Sequence, residues 1–482
     1  MTSSKTTTLA TAVVTCAREA ALYFQKDFDA AELGGRRKRL MAQMQQGLAV
    51  IAGASEVPGF DPVRQSNDFY YLTGIDVPHS YLTMDAVSGV TILYLPPRDE
   101  KHEASDGPSL CADDGGIVRR RTGIDEVRPV SQILDDLSGH DQTFWVMRAP
   151  AEGGGQCQDT LRRYQRSILH DPLDGRLSRE THLMARLGQL SPRAEFRDLA
   201  PLVHRARLIK SSAEAAVMRS AARLAAMACT EAMRATRPGA FEFQLGAAAD
   251  YFFKVNGAQG AGYRPIIAAG SNIWMMHYWR NSAALAEGDL VIYDYAPDYN
   301  NYTSDIGRMW PVDGRFSAAQ RELYGFVLAC HRTLLKIIRP RRTKEEILAE
   351  FAQLMRPVVE SMQWSKSIYK DAALRLLESK RPLSHGVGMS VHEADEWASR
   401  PIEPGLVFAV DPELFIPEEK TYVRVEDTVL VTEEGIENLT AACPADMEDI
   451  ENLMQANDAE HLVQHSKSIL LNHPAQHRNF SR

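Results

Sequence analysis

The residue types able to do chemistry gather in the second half of the chain. In GDLVIYDYAPDYNNYTSDIGR, Asp294 ends an apolar run and Asp305 follows eleven residues later, close to the start of another. LSHGVGMSVHEAD supplies His385 and His392 on either side of a glycine-bearing turn, VFAVDPELF supplies Asp411 and Glu413, and VRVEDTVLV places Glu426 inside an apolar strand. Arg424, two positions before Glu426, shares its face in an extended chain. A carboxylate inside a β-run needs a partner, because burying an unpaired charge is very costly. Singly, each has a plain explanation: Asp294 caps a turn, His385 is a hydrogen-bonded core histidine, Glu426 pairs with Arg424. Together, four carboxylates and an imidazole make an oxygen-rich donor set with one nitrogen, which suits Mn, Co or Zn. Their charge exceeds the need of one ion and suits two ions bridged by carboxylates. Such a pair lowers the pKa of a shared water and clamps a tetrahedral intermediate, which is hydrolytic chemistry.

The elements that must position these groups follow from pattern. LVIYDYA, LVFAVDPELFI and VRVEDTVLVT are β-branched and aromatic runs, as strands prefer. AQRELYGFVLACHRTLLKIIRP has helical periodicity and stops at proline. Leu202 to Ala235 is Ala-rich and helix-forming, and Pro238-Gly239 stops it soon afterwards. Upstream, GLAVIAG, VTILYLPP and TFWVMRAP are short β-rich runs between helical stretches, one of them carrying Arg36, Arg37, Lys38 and Arg39, so the first 200 residues read as an α/β layer. DEKHEASDGPSLCADDGG and AEGGGQ read as loops. ADMEDIENLM reads as a helix before a tail bearing His461, His465, His473 and His477, whose spacing does not repeat. Read sharply, that tail is a metal-binding tract; read plainly, it is a helix and a chain end.

The whole chain has 482 residues, 44% hydrophobic and 24% charged, with 63 acidic against 54 basic side chains and a net charge of -9. That mix excludes collagen-like and broadly disordered classes and leaves room for two or three domains. It carries no basic footprint for nucleic acid. No apolar run approaches the roughly 18 residues needed to span a bilayer, so no membrane association is expected. The six cysteines are scattered and never form C-x-x-C. They read as reduced thiols of a cytoplasmic protein, and the first twenty residues as a helix in preference to an export signal.

The order and spacing of Asp294, Asp305, His385-G-V-G, His392, V-D-P and R-V-E-D resembles the pita-bread metallopeptidases, which include Xaa-Pro aminopeptidase (aminopeptidase P), prolidase, methionine aminopeptidase and the metal-free relative creatinase. ARLIKSSAEAAVMRSAA is similar to the helix opening their catalytic domain, GYRPIIAAGSNIWMMHYWRN to the segment with an upstream histidine, and GRMWPVDGRFSAAQRELY to the stretch after the second aspartate. VRQSNDFYYLTGIDVP is similar to the amino-terminal domain of aminopeptidase P. The resemblance spans roughly residues 30 to 445. It implies an α+β architecture: an α/β creatinase/aminopeptidase P-type N-terminal domain over residues 1–200, a pita-bread catalytic domain over 201–445, and a helix and tail over 446–482.

The resemblance also implies roles. Asp294 would chelate one of two divalent ions, most readily Mn, with Co or Zn as alternatives. Asp305 and Glu426 would bridge both ions, and His385 with Asp411 would bind the other. His277 and His392 would hold the substrate carbonyl or scissile nitrogen and stabilise the oxyanion. Arg424 would be a neighbouring or substrate-contacting group. The implied reaction removes an N-terminal residue from peptides with proline second, in a homo-oligomer. The alternatives are prolidase, restricted to dipeptides, and a member that kept the fold but lost peptidase activity. The sequence departs from the family pattern at Asp411, where glutamate is usual and also serves as presumed base, at Glu413 in place of glycine, at Gly307 in place of threonine, and at Ala296 in place of glycine. Aspartate reaches one methylene less, while metal distances tolerate only about 0.2 Å. Glu413 would share a face with Asp411 and could replace it only if the strand ran on past Pro412.

Overall fold

A computed structural model describes residues 18–456 apart from 20, 57, 58, 60, 61 and 394–396. The two ends of the chain, with the four tail histidines and the expected N-terminal helix, lie outside the described residues. The described residues form two compact units that divide between Leu208 and Ile209.

The first unit is built on strands β1 (Leu48–Ala52), β2 (Tyr81–Asp85), β3 (Thr91–Leu95), β4 (Glu126–Pro129), β5 (Phe144–Val146) and β6 (Phe196–Asp198), in the order β4-β3-β2-β1-β5-β6. β2 pairs antiparallel with β1 and β3, and the outer pairs are parallel. Leu48, Val50, Phe144, Val146, Ile133, Leu137 and Leu187 form a core between this mixed sheet and its helices. The basic helix Ala30–Met44 is not a solvated face at its centre. Arg36 and Arg37 are buried and donate to the carbonyls of Tyr71, Leu72 and Thr122. The expected loop after Pro97 instead contains a helix, Glu100–Asp106, because the Asp99 carboxylate accepts from the backbone of Lys101 and His102 and caps it. AEGGGQ is irregular, as expected.

In the second unit a seven-stranded sheet carries β8 (Ile266–Ala269), β9 (Leu290–Asp294), β11 (Ile306–Pro311), β12 (Leu383–Gly386), β13 (Val407–Val410), β16 (Glu426–Val431) and β17 (Ile436–Asn438). Its order is β12-β13-β16-β11-β9-β8, with β17 also on β16. Two small ribbons accompany it, β7 (Gly260–Ala261) with β10 (Pro297–Asp298), and β14 (Glu413–Ile416) with β15 (Thr421–Arg424). The continuous helix expected from Leu202 to Ala235 is two helices, Ala200–Leu208 and Ser212–Ala235. Lys210 N–H donates to Gly405 between them, and Ser211 with Glu214 forms a reciprocal capping box that starts the second helix anew. The expected amphipathic helix spans Ala318–Ile337, and the helix near the C-terminus spans Met447–Gln455. No helix among the described residues is long and apolar enough to cross a membrane.

Candidate metal centre

The ligand set arises from strand ends and strand register. β9, β11 and β16 are adjacent and antiparallel, and Gly307 pairs with Asp294 on one side and with Glu426 on the other. Directly opposed residues project to one face, so Asp294 and Glu426 stand on the same face with only a glycine between them. Asp305 precedes β11. Its backbone N–H donates to Thr428 Oγ1 at 2.8 Å, and that hydroxyl donates back to the Asp305 carbonyl at 2.7 Å. The turn after β12 brings His392 back over His385, with ring centroids 4.0 Å apart. Gly388 permits this turn, since a Cβ there would lie 2.5 Å from Glu393 Oε1.

One donor atom each from Asp305, His385 and Glu426 lies within 4.8 Å of the others. His385 Nε2 is 3.4 Å from Asp305 Oδ2. Asp294 and Asp411 approach from the same region but are engaged by Arg424, whose guanidinium lies 2.7 Å from Asp294 Oδ2 and 3.1 Å from Asp411 Oδ1 and also binds Glu426. Asp411 follows β13, with its N–H donated to Pro382. The strand does not continue past Pro412: β14 belongs to the separate ribbon, and Glu413 Oε2 accepts from exposed Arg381 at 3.1 Å. His277 is exposed on the irregular stretch after Gly270–Trp274. Buried Glu242 anchors that stretch at both ends, accepting from Ala269 N–H and Ala283 N–H at 2.8 Å each.

Tyr263 is a site residue that the sequence reading missed. Its hydroxyl lies 2.7 Å from Asp294 Oδ1 and 2.8 Å from Asp305 Oδ1, and the side chain is buried. A lone tyrosine in an irregular segment has no periodicity to mark it; only the pairing of β9 with β11 brings both aspartates to it.

Burial dominates the electrostatics. It pushes Asp305 and Asp411 well above the ordinary carboxylate range, with neighbouring carboxylate charges adding to the effect. Glu426 is raised by burial to about 7, although Arg424 opposes the shift. Burial opposes the charge on Arg424, yet Asp411, Glu426 and Asp294 outweigh it and hold the guanidinium well above its usual value. His385 is depressed by burial and by His392, which keeps the imidazole neutral as a ligand must be. Glu426 Oε1 is buried without a hydrogen-bond partner among the described residues. An orphaned carboxylate oxygen beside an aspartate and a neutral imidazole fits a divalent cation, which would supply the missing partner.

Comparison with known proteins agrees with this reading. Residues 216–433 match the model of metallopeptidase family M24, and residues 34–143 match that of the aminopeptidase P N-terminal domain. The Xaa-Pro aminopeptidase of Escherichia coli K12 is 32% identical over 88% of this chain and 98% of its own length. Human Xaa-Pro aminopeptidase 3 is 29% identical over 81% of this chain and 76% of its own. Zn-substituted E. coli aminopeptidase P in complex with product superposes with a TM-score of 0.71 at 29% identity, covering 90% of this chain and all of that one. The expected α+β architecture, pita-bread catalytic domain and aminopeptidase P-type N-terminal domain are thereby established, and the chain belongs to metallopeptidase family M24 as an aminopeptidase P-like hydrolase.

Proposed function

We propose that the protein is a dinuclear Xaa-Pro aminopeptidase, hydrolysing the bond between an N-terminal residue and a penultimate proline, with Mn as the preferred ion pair and Co or Zn as substitutes. The observation that carries this reading is the convergence of Asp294, Asp305, His385, Asp411 and Glu426 on one site, in a chain that spans 98% of an Xaa-Pro aminopeptidase. Four carboxylates bring more negative charge than one divalent ion balances, which favours two. Asp294, Asp305, His385, Asp411 and Glu426 would hold the ions, and the bound ions would supply Lewis-acid polarisation of the scissile carbonyl and acidify the attacking water.

The chain's own groups do the rest. Asp411, standing where the family carries its presumed base, accepts the proton of the attacking water. His277 and His392 orient the carbonyl and the scissile nitrogen and donate to the developing oxyanion. Arg424 offsets the negative charge of Asp294, Asp411 and Glu426 while the site is assembled. The domain division at residues 200 and 445 and action as a homo-oligomer belong to the same reading. So does a cytoplasmic setting, supported by the buried thiols of Cys111, Cys229, Cys330 and Cys443, which form no disulfide among the described residues.

The deciding experiment offers Mn-loaded protein a tripeptide and a dipeptide, each with proline second. Release of the first residue from both supports the aminopeptidase; release from the dipeptide alone assigns prolidase; release from neither removes the peptidase reading. Elemental analysis after chelation and reloading should find about two ions per chain, and finding no stoichiometric metal would refute the dinuclear site.

A further inference from the structure

Glu413, where the family usually carries glycine, sets a further buried carboxylate two residues after Asp411. Its side chain is only 3% exposed, and Oε1 has no hydrogen-bond partner among the described residues. Oε2 accepts from Arg381 Nη1 at 3.1 Å. The same nitrogen lies 3.6 Å from the sulfur of Met276, and the guanidinium carbon stands 4.9 Å from the centroid of the Phe415 ring. Glu413 and Phe415 are two apart on β14 and share a face, so the carboxylate holds the guanidinium by an edge and the ring holds it by its plane.

That seat occupies one nitrogen of the fork. Nε and the other terminal nitrogen find no protein acceptor among the described residues, and the side chain is 56% exposed. Both neighbours belong to segments of the site: Met276 immediately precedes His277, and Glu413 follows Asp411. The turn that carries Arg381 is tied to the same place, since Asp411 N–H donates to the Pro382 carbonyl at 2.9 Å. A guanidinium repels the ammonium end of a peptide, so the group it takes is anionic and lies beyond the scissile bond. Two unused N–H-bearing nitrogens on one plane match the two oxygens of a carboxylate.

We infer that Arg381 is a specificity-determining residue that binds the C-terminal carboxylate of a short peptide, with Glu413 and Phe415 as the positioning residues that seat it. The inference rests on the Xaa-Pro aminopeptidase reading and narrows its substrate class to short peptides with a free carboxyl end.

The test measures kcat and KM of Mn-loaded, full-length protein on Ala-Pro-Ala as the free acid and as the C-terminal amide. Wild type should favour the acid by roughly tenfold or more in kcat/KM, the worth of one hydrogen bond between charged groups, with the difference carried by KM. Arg381→Met should lose the preference, and Arg381→Lys, which keeps the charge without the planar fork, should retain part of it. Arg381→Met strands the buried Glu413 carboxylate, so the double variant Arg381→Met/Glu413→Gly covers the case in which the single variant fails to fold. It also separates two roles. A guanidinium that only neutralises Glu413 becomes dispensable once both charges are gone, and the double variant would then show the wild-type preference for the acid. A guanidinium that binds substrate is not replaced, and the double variant should treat acid and amide alike. Equal kcat/KM for acid and amide in wild type, or a wild-type preference in the double variant, would overturn the inference and leave the Xaa-Pro reading standing. Cleavage of neither peptide by any form would instead remove the aminopeptidase reading and the inference with it.

Discussion

Replacing Tyr263 by phenylalanine removes one oxygen from the centre of the site and leaves the ring packing intact, including its edge contact with Tyr295 at 6.2 Å between centroids. The hydroxyl is within donor range of two carboxylates, at 2.7 Å and 2.8 Å, but has a single proton to give. Its loss therefore costs the value of one hydrogen bond to a charged acceptor, about 1.5–3 kcal/mol. Burial and the charges of Asp294, Asp305 and Glu426 raise the phenol well above its ordinary pKa, so it remains a donor at every working pH. Placed between Asp294 and Asp305, that proton lessens their mutual repulsion and helps fix the orientation in which they meet a cation. At about 1.4 kcal/mol per tenfold, Tyr263→Phe should weaken Mn²⁺ binding roughly 10- to 150-fold. Calorimetric titration of the stripped protein reads the affinity, and turnover of a proline-second tripeptide at saturating Mn²⁺ reads the residual effect on geometry. An affinity and a kcat/KM both within about twofold of wild type would refute the assignment of Tyr263 to the site.

Asp411→Glu restores the family's side-chain length at this ligand and should preserve or raise turnover of an Xaa-Pro peptide; a collapse of activity would mean that the site is rebuilt around the shorter carboxylate. Arg308→Met strips a buried guanidinium from Asp427, 2.6 Å away behind Glu426, and should lower stability by about 3–5 kcal/mol in denaturant titration, whereas a loss below about 1 kcal/mol would refute a structural role for the pair. In the first unit, burial alone would lower the pKa of His204, but Asp68 at 3.7 Å raises it above the ordinary value. A raised histidine contributes stability that is complete below its unfolded pKa of about 6.5 and is lost as pH rises through the folded value. Melting temperature should therefore fall across that alkaline window in wild type and less so in His204→Gln; identical slopes would refute the coupling.

What the sequence made legible depended on periodicity. Asp294, Asp411 and Glu426 interrupt or end apolar strands, and polar residues in such places stand out because burial there is costly. The same patterning located β9, β13 and the helix Ala318–Ile337. What stayed hidden depended on pairing between distant segments. Nothing in the order of residues says that Gly307 faces both Asp294 and Glu426, or that Tyr263 reaches Asp305 across 42 residues. The buried pair Arg36 and Arg37 was invisible for the same reason: an arginine in a basic run reads as solvated until its carbonyl partners, 35 and 85 residues away, are known. The split at Lys210 had a local signal in S-S-A-E, but the Ala-rich run outweighed it.

The site joins two ways of holding charge that follow from different parts of the fold. Behind the ligands the arrangement is closed: Asp427 accepts from Arg308 at 2.6 Å, from Thr440 at 2.7 Å and from Asn438 at 2.7 Å, and Arg308, His331 at 3.1 Å and Thr440 hold its carboxyl well below the usual range despite burial. One residue earlier on β16, Glu426 points to the opposite face, keeps one oxygen without a hydrogen-bond partner among the described residues and is pushed up to about 7. Strand alternation alone separates these two environments. A satisfied carboxylate fixes the strand, and its unsatisfied neighbour is left with unused affinity for a cation. The chemistry of the protein is confined to the face on which Asp294 and Glu426 are aligned and Gly307 adds nothing between them.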